Sequence, residues 1–214
     1  MSPHLVSLLK RLTSPPSSSI IEDLKKSREA GLASIVFFYF DFKDQSKKNA
    51  RGALSSLLVQ LAAQSDSYSE ILSALYSKYD AGSMQPSDDA LKISLKRMLA
   101  IPGQAPIYIV IDALDECPKS TGMPSPRKEV LSLVKWLVEL QCSNLSVSVT
   151  SRTETDIEDT LQPLASHRIS LHDEAGQRKD ITNYILWCVY SNPKWRKQDK
   201  ELIIEKLSER AAGM

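Results

Sequence analysis

The stretch Ile107-Tyr108-Ile109-Val110-Ile111-Asp112-Ala113-Leu114-Asp115-Glu116 constrains this chain more than any other. An unbroken apolar run, β-branched and aromatic, ends in an aspartate, a small residue, a leucine and two more carboxylates. That pattern predicts a buried strand whose C-terminal end carries acid. A doubly wound α/β sheet places its ligand site at that end of its strands. Carboxylates held there suit Mg²⁺, a hard cation that takes a few oxygen ligands together with the phosphates of its substrate. The stretch therefore points to a nucleotide site, with an acidic helix start as the alternative, since Asp and Glu are favoured near helix N-termini for dipole reasons alone.

The rest of the chain alternates strands with helices. Ser19 with Glu22 forms a capping-box pattern for a helix that Gly31 is placed to end, and Ile35 to Phe40 follows as a strand apolar on both faces. Helical spacing then runs over 49–65, 69–79 and 88–99, carried by Leu54, Leu57, Leu58 and Leu61, by Ile71, Leu72 and Leu75, and by Leu91, Leu95 and Met98. After Glu116 a Pro- and Gly-rich loop leads to a helix over 128–141. Leu145 to Thr150 alternates apolar and small polar residues as a strand, 155–164 reads as a short helix, and Arg168 to Leu171 as a last short strand. Everything after Asp173 reads as helical. Such alternation predicts a mostly parallel three-layer α/β domain followed by the start of a helical one.

With 42% apolar and 25% charged residues, the 214-residue chain has the composition of a globular protein able to bury a core. A net charge of +1, with Lys and Arg spread along helical faces, argues against a nucleic-acid partner. The longest apolar run is far shorter than the roughly 20 residues of a membrane span, so no membrane association is expected. Cys117, Cys142 and Cys188 share no metal-ligand spacing and read as reduced thiols of a cytoplasmic protein.

Ile107 to Glu116 resembles the extended Walker B motif of NACHT-type NTPases, signalling ATPases with a small residue after the first Asp and paired acids two positions later. Ser19-Ile20-Ile21 leading into Phe37-Phe38-Tyr39-Phe40, Leu54 to Leu61, Val149-Thr150-Ser151-Arg152 and Ile169-Ser170-Leu171 extend the match over about residues 18 to 214. The pattern is similar to fungal NACHT proteins and to the related nephrocystin-like N-terminal domain, a module that often precedes ankyrin or other repeats. The resemblance implies a P-loop-NTPase-like fold, with divergent residues 1–16, an α/β domain over 17–172 and the start of a helical lid over 173–214. It implies ATP or GTP with Mg²⁺ as ligands, and other protein domains or a second copy as partners. Asp112 would hold the metal, Glu116 with Asp115 would serve the attacking water, and Ser151 and Arg152 would stand at the sensor of the γ-phosphate. For Arg152 the alternative is an arginine paired with a nearby carboxylate on a loop.

One part of the motif set is missing. A phosphate loop needs G-x-x-x-x-G-K-[ST], because backbone N–H groups must approach the phosphates and a Lys must reach the β- and γ-oxygens. None of the seven glycines here is followed by Lys, and the Lys-Ser pair would fall near Thr13 and Ser14. Leu5, Leu8, Leu9 and Leu12 recur at helical spacing, so the strand before the phosphate loop is expected to be missing and the sheet partly open. NTP hydrolysis is correspondingly expected to be impaired or absent, with a non-catalytic protein-interaction role as the alternative.

Overall fold

The computed structural model describes residues 6–10, 27–119, 125–169, 182, 185–191 and 196–212. The chain divides into two compact units, 1–169 and 170–214.

In the first unit five parallel strands form one sheet: β1 (Val6–Lys10), β2 (Ser34–Tyr39), β3 (Ile107–Asp112), β4 (Leu145–Ser151) and β5 (His167–Ile169). Their spatial order is β2-β3-β4-β1-β5. Between them run α1 (Ala50–Ala62), α2 (Asp66–Lys78), α3 (Asp88–Leu99), α4 (Pro126–Glu139) and α5 (Thr155–Leu161). The three-layer parallel α/β class read from the sequence is the observed one.

The expected missing strand is a correction. Val6 to Lys10 pairs in parallel with β4, from Val6 opposite Val147 to Lys10 opposite Ser151, and on its other side Ser7 to Leu9 pairs with His167 to Ile169. A short apolar run does not distinguish helix from strand by periodicity alone. What decides here is the gap between β4 and β5, where backbone N–H and C=O groups at the middle of a sheet require partners. The sheet is continuous rather than partly open.

Strands supply one half of the core and helices the other. Val36, Phe38, Ile107, Ile109, Ile111, Val147 and Val149 pack in one cluster with Leu54, Leu57, Leu58 and Leu61 of α1, Leu95 and Met98 of α3, and Val130, Leu133, Val134 and Leu137 of α4. Ile35 and Val110, which alternate to the opposite face, are buried as well. Burial on both faces explains why β2 and β3 read as unbroken apolar runs.

Local signals set several boundaries. Gly31 ends the preceding helix with φ +68°, its N–H bonding Arg28 O at 2.9 Å while Leu32 N–H bonds Ser27 O at 2.9 Å, the paired bonds of a Schellman motif. The Ser19–Glu22 capping box lies outside the described residues. Asn49 caps α1 by accepting from Gly52 N–H at 2.8 Å. A Cβ at Gly52 would stand 2.0 Å from Ser46 O, so only glycine fits that first turn. In α2 the helix starts a turn earlier than its apolar stripe, at Asp66, where an acid suits the N-terminal dipole.

In the second unit residues 185–191 are helical, and α6 (Lys197–Ala212) follows. Lys200 Nζ donates to Tyr190 O at 3.1 Å. Among the described residues no helix is long and apolar enough to cross a membrane.

Candidate functional site

At its C-terminal end β3 delivers Asp112 into a nearly closed environment, 1% exposed. β3 and β4 are in register through Ile111 opposite Val149, so Asp112 lies level with Thr150, the next residue of β4. Thr150, itself fully buried, donates its hydroxyl proton to Asp112 Oδ1 and accepts from the Ala113 N–H at 3.1 Å. A single hydroxyl thus orients the carboxylate and anchors the first peptide after the strand.

Ala113 adopts the left-handed conformation, φ 55° and ψ 45°, while 2% exposed. A non-glycine residue there costs about 1–2 kcal/mol, and a buried one leaves no room for a large side chain. This is the physical reason for a small residue after Asp112. The turn converts strand directly into a 3-10 turn at Leu114–Glu116, closed by Glu116 N–H to Ala113 O at 2.9 Å.

Asp115 points across to the exit of β4. Its Oδ1 accepts from the Arg152 backbone N–H at 3.0 Å and its Oδ2 lies 3.5 Å from Arg152 Nε. The carboxylate is 6% exposed and the arginine side chain 75% exposed. Asp115 therefore ties the acid turn to the end of β4, and the Arg152 guanidinium remains at the surface. Ser151 is buried and donates its hydroxyl to Arg152 O at 2.8 Å. Glu116 is half-buried on the same turn.

Sequence reasoning overlooks Arg127. This residue is the second of α4 and is 4% exposed. Its Nε donates to Cys117 O at 2.8 Å, its Nη2 to Asp115 O, and its Nη1 to Glu154 Oε2, with Asp156 Oδ2 at 3.7 Å. Lys119 Nζ reaches Glu154 at 2.7 Å and Asp156 at 2.8 Å. Burial acts to raise the Glu154 and Asp156 carboxyls, but the Lys119 hydrogen bonds and the Arg127 charge outweigh it and hold both below the ordinary carboxylate range. Arg127 thus clamps the acid turn from beneath and fastens it to the start of α5. One signal for it exists in the sequence: a cation in a helix's first turn opposes the dipole and needs a partner elsewhere. Thr150 escapes notice for a different reason, because a threonine in a strand is ordinary until its register is known.

Buried beside this clamp, Cys117 gives its thiol proton to Lys48 O at 3.1 Å. Desolvation pushes its pKa up to about 11. No cluster of three or more His, Cys, Asp or Glu side chains that could hold a metal exists among the described residues. Asp112 offers a single carboxylate, which fits Mg²⁺ only as the companion of a bound triphosphate supplying further oxygens.

Residues 14–152 match the family model described as Nephrocystin 3, N-terminal. Over 172 residues the chain is 31% identical to the vegetative incompatibility protein HET-E-1 of Podospora anserina, covering 77% of this chain and 12% of that protein. The chain thus spans about an eighth of that relative's length. Among solved structures, the chain is similar to Aeropyrum pernix ORC2 in its ADPNP-ADP complexes, at 9% identity and TM-score 0.45 over 97% of this chain and 62% of that one. A chain of Drosophila ORC bound to DNA matches at 10% identity and TM-score 0.42, over 78% of this chain and 80% of that one. With its match running from the segment after β1 to the end of the β4 exit, this chain belongs to the nephrocystin 3 N-terminal family, of the NACHT-like, P-loop-NTPase-related kind.

Proposed function

We propose that this chain is a NACHT-type nucleotide-switch module that keeps the metal and water side of a phosphoryl-transfer site but does not hydrolyse nucleotide at a useful rate, and that it acts through contacts with other protein domains. One observation carries the reading. β1 occupies the middle of the sheet, between β4 and β5, yet the segment 11–26 that follows contains no glycine, and no Gly-Lys pair occurs anywhere in the chain. The fold's frame is kept while the residues that would cradle phosphate are not encoded.

On this reading Asp112, oriented by Thr150, would hold Mg²⁺ with a nucleotide, and Glu116 would orient or deprotonate the attacking water. Asp115 and Arg127 position the turn that carries Glu116, and Arg152 would meet the γ-phosphate by exchanging Asp115 for it. The metal, when bound with a triphosphate, would neutralise developing phosphate charge. Positioning and charge neutralisation supply most of the catalysis in phosphoryl transfer, so loss of the phosphate grip removes the larger part of it. Residues 173–214 belong, on the same reading, to a helical lid.

Binding with slow hydrolysis is the second reading, favoured by the hydrogen bonds that orient one oxygen of Asp112 and one of Asp115. Calorimetric titration of the full chain with ATP·Mg²⁺ and GTP·Mg²⁺, and phosphate-release assays, separate the two. The expected result is a dissociation constant weaker than about 1 mM, which is less than about 4 kcal/mol of affinity, and no turnover above background. Turnover that disappears in Glu116→Gln would sink the first reading and establish the second.

A further inference from the structure

A cavity of about 810 Å³ opens at the N-terminal ends of β2 and β3, within the size range, roughly 300–1,000 Å³, of small-molecule sites. Its lining runs from Ser34 at the start of β2, across the end of α1 and the first turn of α2, to the loop before β3. β3 begins at Ile107, just past the lining residue Ala105, and ends at Asp112. A six-residue strand, roughly 17 Å long, therefore separates the cavity from the acid turn.

Hydrogen bonds within the protein hold the polar walls in place. Gln64 Oε1 accepts from Ile35 N–H at 2.9 Å and its Nε2 donates to Ile35 O at 2.7 Å. Gln60 Oε1 accepts from Phe37 N–H at 3.0 Å and its Nε2 donates to Phe37 O at 2.7 Å. On the loop before β3, Gln104 Nε2 donates to Met98 O at 2.8 Å while its Oε1 accepts from the hydroxyl of Tyr68, which is 3% exposed. Side chains fixed in this way lose little freedom when a ligand binds. Gly31 and Gly103 also line the cavity, and a Cβ at either would meet nothing within 4 Å, so their backbone faces open space that a ligand can approach.

What the walls leave free is donor-rich and of one sign. Among the described residues that line the cavity, Arg28 is the one charged group, in a chain whose residues are 25% charged. No carboxylate shares that lining, so an entering anion meets attraction from Arg28 and no repulsion from the walls. Arg28 is exposed and belongs to the mouth, whereas Tyr68 is buried and belongs to the floor. Ser65 precedes α2 without giving its hydroxyl to the helix, and Ser67 is exposed, which leaves both hydroxyls available. Apart from Phe37 and Ile101 the lining carries no large aromatic or aliphatic side chain, which sets an apolar ligand aside.

We propose that this cavity is a binding site for a small polyhydroxylated molecule bearing one oxyanion, a sugar phosphate or a sugar acid. The planar guanidinium of Arg28 takes the oxyanion at the mouth through paired hydrogen bonds. The serine hydroxyls and the remaining Gln104 amide hydrogen take the hydroxyls of its body. The site is separate from the acid turn, and its occupation does not depend on nucleotide.

The test titrates ribose 5-phosphate and gluconate into the full chain by calorimetry, with ribose as the uncharged control and glucosamine as the cationic one. At least one anionic sugar should saturate a single site below about 1 mM, and both controls should bind at least about tenfold more weakly. The two anionic arms show whether phosphate or carboxylate is preferred. Amide shifts on binding should change at Ser67 and Gly103 and stay unchanged at Arg152. Arg28→Gln should weaken binding about tenfold or more, and Arg28→Lys should restore part of it, because the charge returns without the fork. Arg28 is exposed, so neither substitution threatens the fold. Ser67→Trp, also at an exposed position, should close the cavity to both probes. Binding by Arg28→Gln equal to wild type, shifts confined to Arg152 and the acid turn, or no saturation by either probe would each overturn the site.

Discussion

Replacing Arg127 by Met keeps the aliphatic stem and removes the guanidinium from the centre of the clamp. The substitution deletes the donors to Cys117 O and Asp115 O and the ion pair with Glu154. Hydrogen bonds from a charged donor contribute about 1.5–3 kcal/mol each, and breaking a buried ion pair costs about 3–5 kcal/mol. The lower end applies, because Glu154 is 29% exposed and keeps Lys119 as a partner at 2.7 Å. A loss of about 3 kcal/mol is expected, a large share of the roughly 5–15 kcal/mol typical of a folded domain. With a urea slope of about 2 kcal/mol/M this lowers the midpoint by roughly 1.5 M. Trp136 on α4 reports the transition of the first unit by fluorescence once Trp187 and Trp195 are changed to Phe. Lys119→Met is the control: its side chain is 53% exposed, so the midpoint should scarcely move. A midpoint shift in Arg127→Met no larger than that of Lys119→Met would refute the clamp.

The acid side of the same cluster predicts a pH dependence. Glu154 and Asp156 are held below their ordinary values of 4.5 and 3.8, so their contribution is fully present above the unfolded pKa and is lost as pH falls through the lower folded values. The stability difference between wild type and Glu154→Gln should therefore shrink steadily as the solution is acidified below about pH 5; a difference that grows on acidification has the wrong sign for this pairing. Cys117, fully buried and with its pKa raised from 9.0 to about 11, should hold about 100-fold less thiolate at pH 8 than an ordinary cysteine and resist alkylation until the unit unfolds. Peptide mapping after brief iodoacetamide treatment checks this, and rapid native labelling of Cys117 would contradict it.

Most of the sheet is legible in the sequence because burial on both faces writes a strand as an unbroken apolar run, as at Ile35–Phe40 and Ile107–Ile111. Helices α1 and α3 are equally plain, since one buried stripe at helical spacing suffices to mark them. The acid turn is legible because a carboxylate at the end of a buried strand is costly to desolvate and persists only where hydrogen bonds or a cation compensate it. β1 misleads because five residues carry too little periodicity, and only the backbone groups of β4 and β5 on either side decide that they extend. The roles of Thr150, Arg127, Gln60 and Gln64 are invisible in the sequence for one shared cause. Each acts on a partner separated from it by 10 to 38 positions, Arg127 on Cys117 being the nearest and Thr150 on Asp112 the farthest. Local pattern determined which segments form elements and where acid gathers; strand register and helix placement alone determined which polar groups meet, because hydrogen bonds require contact and contact is set by the tertiary fold.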